Sequence, residues 1–127
     1  MRALILTAAL FTLIAESAFA QGSPLSCKKV FNNHMLPISC NITENNTLIQ
    51  DIVFNRGNCT SPKQNAETIM RNPDFKKYAG NRDLVAELPI GKSFKFGDSF
   101  DLLVPIDCNL LEYSITANGK VWTWKAN

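Results

Sequence analysis

Polar and apolar residues alternate in two runs near the C-terminus, 110–117 and Lys120–Lys125, on either side of Asn118-Gly119. Asn-Gly between alternating runs is a strong hairpin signal, because both residues tolerate the positive φ that a two-residue type I′ turn requires. The turn then dictates the register. Glu112 faces Lys125, Tyr113 faces Trp124, Ser114 faces Thr123, Ile115 faces Trp122 and Ala117 faces Lys120. In that register Tyr113, Ile115, Trp122 and Trp124 share one face, whereas Glu112, Ser114, Thr116, Thr123 and Lys125 share the other with Val121. A slip of one residue would destroy this sorting.

Upstream, Phe94, Phe96, Phe100, Leu102 and Val104 have the same parity, interrupted at Gly97-Asp98. This pattern predicts a strand with a bulge or sharp bend, or two short strands. Thr47–Phe54 is a third strand candidate and 30–38 a fourth, although Pro37 and Asn32-Asn33 interrupt the latter. Between the strands, Ser61-Pro62-Lys63-Gln64 supplies an N-cap hydroxyl, Pro at the first helical position and Gln at the third. Ala66, Ile69 and Met70 follow on one helical face, and Pro73 limits the run. Residues 73–80 add a turn or two, and 87–91 reads as extended. The sum is a mainly β chain, a small antiparallel β-sandwich with a short helical insertion.

The N-terminus changes the setting. Arg2, the apolar run 3–14 and the small-residue gate Ala18-Phe19-Ala20 predict a signal peptide over 1–20, leaving a single disulfide-bonded domain over 21–127. The apolar run is shorter than the ~20 residues that span a bilayer, so no membrane anchor is expected. No cysteine stands at the cleavage point to take a lipid, the first being Cys27. Export to the periplasm or the medium makes the four cysteines disulfide partners. Three pairings are open to them, and the expectation taken is Cys27 with Cys40 and Cys59 with Cys108. No CxxC occurs and His34 is the only histidine, which argues against zinc.

The formal net charge is +2. Lacking a concentrated basic stripe, the chain is not expected to bind nucleic acid or an anionic membrane. Candidate chemistry is sparse. Nucleophilic catalysis would need a Ser or Cys beside His34, and the cysteines are expected to be oxidised. Glu44, Asp51, Asp98, Asp101, Asp107 and Glu112 are raw material for a two-carboxylate hydrolase, but scattered acids are ordinary surface. No catalytic residue, cofactor or metal is expected.

The candidate binding residues are Arg56, Asn58, Trp122 and Trp124. The two tryptophans could form an exposed recognition patch; the polar opposite face of their hairpin favours burial instead. Asn55-Arg56-Gly57-Asn58-Cys59 has Arg next to Gly without the following Asp of an adhesive loop. The plainer reading is a tight turn that presents Cys59 for its disulfide, with Arg56 bonding a nearby carboxylate or carbonyl. Asn41-Ile42-Thr43, Asn45-Asn46-Thr47 and Asn58-Cys59-Thr60 are glycosylation sequons, relevant only in a eukaryotic source.

Asn55-Arg56-Gly57-Asn58-Cys59 at the end of a strand, Phe94-Lys95-Phe96-Gly97, the lone Cys108 and the closing Gly119-Lys120-Val121-Trp122-Thr123-Trp124 together resemble small exported bacterial proteins of the interleukin receptor mimic protein A type. The resemblance covers mainly the C-terminal two-thirds and rests on short motifs. It implies a fibronectin type III-like or immunoglobulin-like sandwich, a disulfide, homodimers formed by strand exchange, and virulence-associated protein binding without catalysis. The chain departs from that type in its extra Cys27 and Cys40 and in a longer helical insertion over 60–89. No partner-contacting residue carries over, and cytokine binding is not implied.

The function expected is thus a non-enzymatic protein–protein interaction module binding a host or envelope protein. Two other readings stand beside it: a periplasmic accessory of a secretion or conjugation apparatus, and an inhibitor that plugs a hydrolase with one projecting loop.

Overall fold

A computed structural model of the chain describes residues 22–30 and 36–126. The signal-peptide expectation for 1–20 and His34 lie outside the described residues. Among the described residues, seven strands form two antiparallel sheets. In the first, β1 (Leu25–Lys29), β2 (Ile38–Ile42) and β5 (Ser99–Leu102) lie in the order β1-β2-β5. In the second, β3 (Thr47–Phe54), β4 (Ser93–Phe94), β6 (Glu112–Ala117) and β7 (Lys120–Lys125) lie in the order β4-β3-β6-β7.

The β6–β7 hairpin has the register its polarity pattern predicts, from Glu112 opposite Lys125 to Ala117 opposite Lys120. Asn118 and Gly119 both take positive φ, 52° and 81°. The turn is also stitched to β3: Asn118 Oδ1 accepts from Leu48 N at 2.8 Å, and Gly119 N donates to Gln50 Oε1 at 2.6 Å. Asn118 therefore satisfies the turn's backbone geometry and ties the hairpin to its neighbour strand.

The even-parity segment becomes two short strands in different sheets. Lys95 N donates to Asp98 Oδ2 at 2.9 Å and Asp98 N to Lys95 O at 3.0 Å, closing a turn in which Gly97 has φ 93°. That turn carries the chain from β4 to β5, and Phe94 and Phe100 meet across it with ring centroids 5.3 Å apart. Phe96, at the bend, is 69% exposed despite its parity.

One local expectation falls mostly outside the description, and the reading of the helical insertion is corrected. The strand expected over 30–38 falls largely outside the described residues; of its ends, Val30 follows β1, Ile38 opens β2, and Val30 N donates to Pro37 O at 2.7 Å. Residues 31–35 lie outside the description. The helical insertion contains three helices: α1 (Pro62–Arg71), α2 (Pro73–Ala79) and α3 (Leu84–Glu87). Each has a side-chain N-cap. Ser61 accepts from Gln64 N, Asn72 from Asp74 N, and Asp83 from Val85 N and Ala86 N. The residues 87–91 are therefore not extended: Glu87 closes α3, and Lys92 N donates back to Pro89 O at 3.1 Å in a turn that needs the positive φ of Gly91.

One hydrophobic cluster joins the two sheets. Leu25, Ile38, Cys40, Ile42 and Leu102 come from the first sheet, and Ile49, Ile52, Phe54, Tyr113, Ile115 and Ala117 from the second. β3 reaches this core with two parities, because its pairing with β6 shifts between Ile49 and Asp51. Ile49 and Ile52, three apart, are consequently both buried.

Two disulfides reinforce the strands. Cys27 and Cys40 are direct partners in the β1–β2 register. Cys59 and Cys108 join the end of the β3 connection to the loop before β6 across 49 residues. No cysteine is free among the described residues. Such bridges persist in oxidising compartments, as in the periplasm or outside the cell. Among the described residues, no helix is long and apolar enough to cross a membrane.

Candidate functional site

At the end of β3 the backbone leaves the strand through Asn55, Arg56 and Gly57, with φ values of 49°, 56° and 90°. Three consecutive left-handed residues are unusual. For an L-residue this conformation costs about 1–2 kcal/mol, least for Asn and nothing for Gly, so Arg56 is the strained member. The turn ends at Asn58, whose N donates to Asn55 O at 3.0 Å.

The neighbouring loop holds the turn in place. Asn55 Nδ2 donates to the Asn109 carbonyl at 2.7 Å, and Asn55 Oδ1 accepts from Leu111 N at 2.7 Å and Glu112 N at 3.1 Å. The amide also lies against the Cys59–Cys108 bridge, 3.4 Å from Cys59 Sγ. Below the turn runs a row of paired aromatics. Phe54 is opposite Tyr113 and Tyr113 opposite Trp124, with Tyr113 and Trp124 stacked at 5.6 Å and 13°. Burial pushes the Tyr113 phenol up to about 12.

On this base Arg56 projects, its side chain 82% exposed, with Nε 3.1 Å from Glu112 Oε1. Asn58 is exposed beside it. The plainer sequence reading of the turn, presenting Cys59 and pairing Arg56 with a carboxylate, is what the geometry contains. The loop tied to the turn adds Leu111 and Ile106, both well exposed. Neither stood out in the sequence: apolar residues beside a strand read as strand, and only the disulfide and Asn55 reveal that this loop turns outward.

Arg56 and Asn58 thus come together. Trp122 and Trp124 do not join them on the surface: both are on the core side of β7, partly buried against the central cluster, with Trp124 in the aromatic row below the turn. Trp122 Nε1 is buried without a partner among the described residues. A separate cleft of about 590 Å³ lies between α1, α2 and the loop, lined by Asn65, Phe75, Tyr78 and Ile106 among others. The described residues contain no group of three or more His, Cys, Asp or Glu able to hold a metal ion. Asn41, Asn45 and Asn58, the acceptors of the three sequons, are all exposed, but Asn45 Oδ1 already accepts from Phe96 N at 2.9 Å. No family model, curated protein or solved structure matches this chain.

Proposed function

We propose that this chain is an exported, non-enzymatic β-sandwich module that acts by protein–protein contact, and that the contact is centred on Arg56 at the end of β3. The supporting observation is the run of left-handed residues from Asn55 to Gly57. Strain of this kind concentrates at functional positions, where the surrounding structure over-determines it. Here Asn55 and the Cys59–Cys108 bridge hold a costly conformation that places an Arg in solvent. A simple connection would use Gly or Asn at that position. Arg is enriched in the energetic centres of protein interfaces, and the exposed Leu111, whose N bonds Asn55 Oδ1, adds apolar area beside the turn. On this reading the partner offers a carboxylate that competes with Glu112 for the guanidinium. The resemblance to exported proteins of the interleukin receptor mimic protein A type fits such a role, with no partner identity carried over.

The test is affinity capture from the envelope and medium of the source organism, with wild-type, Arg56→Ala and Arg56→Glu baits compared. An exposed ion pair contributes at most about 1 kcal/mol, so Arg56→Ala keeps the fold. The expected result is a partner retained by wild type and lost with both variants, each of which still unfolds cooperatively. Equal retention by all three baits would remove the contact from this turn.

A further inference from the structure

β7 ends the four-stranded sheet: β6 flanks it on one side, and no described strand lies on the other. It is the longest border strand of the two sheets, six residues against five in β1, four in β5 and two in β4. In a two-residue hairpin the turn-closing pair exchanges both main-chain hydrogen bonds, and bonded and non-bonded pairs then alternate. Lys120, Trp122 and Trp124 therefore bond to β6, while the N–H and C=O groups of Val121, Thr123 and Lys125 point outward. Border strands are ordinarily blunted by Pro, a bulge or a covering segment. β7 contains no Pro, its pairing with β6 is unbroken over six residues, and the lysines that also blunt edges, Lys120 and Lys125, stand only at its two ends.

We infer that β7 is a self-association edge, pairing antiparallel with β7 of a second copy about a twofold axis through Thr123. The strand matches itself in this register. All three outward-facing residues are used: Thr123 meets Thr123, and Val121 of each copy meets Lys125 of the other. On the core side, Trp122 of each copy comes opposite Trp124 of the other, in the close-approach positions where aromatic pairs stabilise a sheet. No like charges face one another. Any extended strand would satisfy the main chain; the aromatic and charge match singles out a second copy. The exposed parts of Trp122 and Trp124, both only partly buried, and the 57% exposed Val121 all lose water in the contact. No element is exchanged, since each copy keeps its own seven strands. The contact is independent of the Arg56 turn.

Sedimentation equilibrium of wild type, Val121→Lys and Val121→Glu tests the register, because position 121 is on the solvent face and either side chain fits the monomer. Val121→Lys places two Lys–Lys pairs across the axis and Val121→Glu two Glu–Lys pairs. The expected result is a reversible wild-type dimer that weakens about fivefold with Lys and tightens about fivefold with Glu. Both tryptophans of the chain lie on β7, so their emission reports the same event, shifting to the blue as concentration rises over about a hundredfold range. A monomer at every concentration would overturn the inference, as would equal effects of Lys and Glu. So would a dimer that persists on dilution and ignores the charge at position 121, which is the behaviour of strand exchange.

Discussion

Asn55 Nδ2 donates to the Asn109 carbonyl at 2.7 Å across 54 residues of sequence, joining the end of β3 to the loop that leads into β6. The same side chain accepts from Leu111 N and Glu112 N, so one amide satisfies three main-chain groups, two in the loop and one at the first residue of β6. Asn55 also occupies the left-handed conformation, which Asn tolerates better than other non-glycine residues.

These two roles separate by mutation. Asn55→Ala removes the hydrogen bonds and places a less tolerant residue at positive φ, for an expected loss of about 2–3 kcal/mol. Asn55→Gly removes the bonds but keeps the backbone comfortable, and the loss falls to about 1–2 kcal/mol. Urea denaturation of the two variants measures the difference. Equal midpoints would show that the conformational preference of Asn55 contributes nothing.

The two disulfides constrain the unfolded chain unequally, because one closes a separation of 13 residues and the other 49. The loop-entropy relation gives about 3 kcal/mol for Cys27–Cys40 and about 4 kcal/mol for Cys59–Cys108. Paired Cys→Ala variants are expected to lose stability in that order, measured by denaturant titration. The second pair also loses the support behind the Arg56 turn, so faster amide exchange at 55–58 accompanies its removal but not removal of the first pair. Equal exchange in both variants would separate the bridge from the turn.

The β6–β7 hairpin was legible because Asn118-Gly119 sets a register and the polarity of ten of the twelve strand residues, all but Lys120 and Val121, agrees with it. The N-cap of α1 was legible for a similarly local reason: Ser61, Pro62 and Gln64 carry the signal within one turn of helix. What escaped the sequence depends on distant partners. β1 and β2 are short and partly polar, and their pairing is set by each other and by the Cys27–Cys40 bridge. The three-residue spacing of Ile49 and Ile52 hints at the irregularity in β3, but only the alignment against β6 resolves it. At the candidate site, Arg56 and Asn58 were visible as turn residues. The left-handed run and the anchoring by Asn55 required groups more than 50 residues away.

Tyr113 gives the fold an alkaline limit. Its side chain is buried in the aromatic row, and loss of water raises the phenol to about 12, whereas in the unfolded chain it ionises near ~10. Between these values the unfolded chain sheds a proton that the native protein keeps. Unfolding is favoured increasingly as pH rises through that window, and the contribution is intact below pH ~10. By pH ~11 the loss attributable to this one group is about 1.4 kcal/mol. Lysines titrate in the same region, so the comparison is made with Tyr113→Phe, which keeps the ring but has no proton to lose. Urea midpoints measured from neutral to alkaline pH are expected to fall more steeply for wild type than for the variant, with the two curves diverging only above the unfolded phenol's range. Parallel curves would mean that the phenol ionises in the folded protein as readily as in the unfolded chain, and that the row beneath the Arg56 turn is open to water.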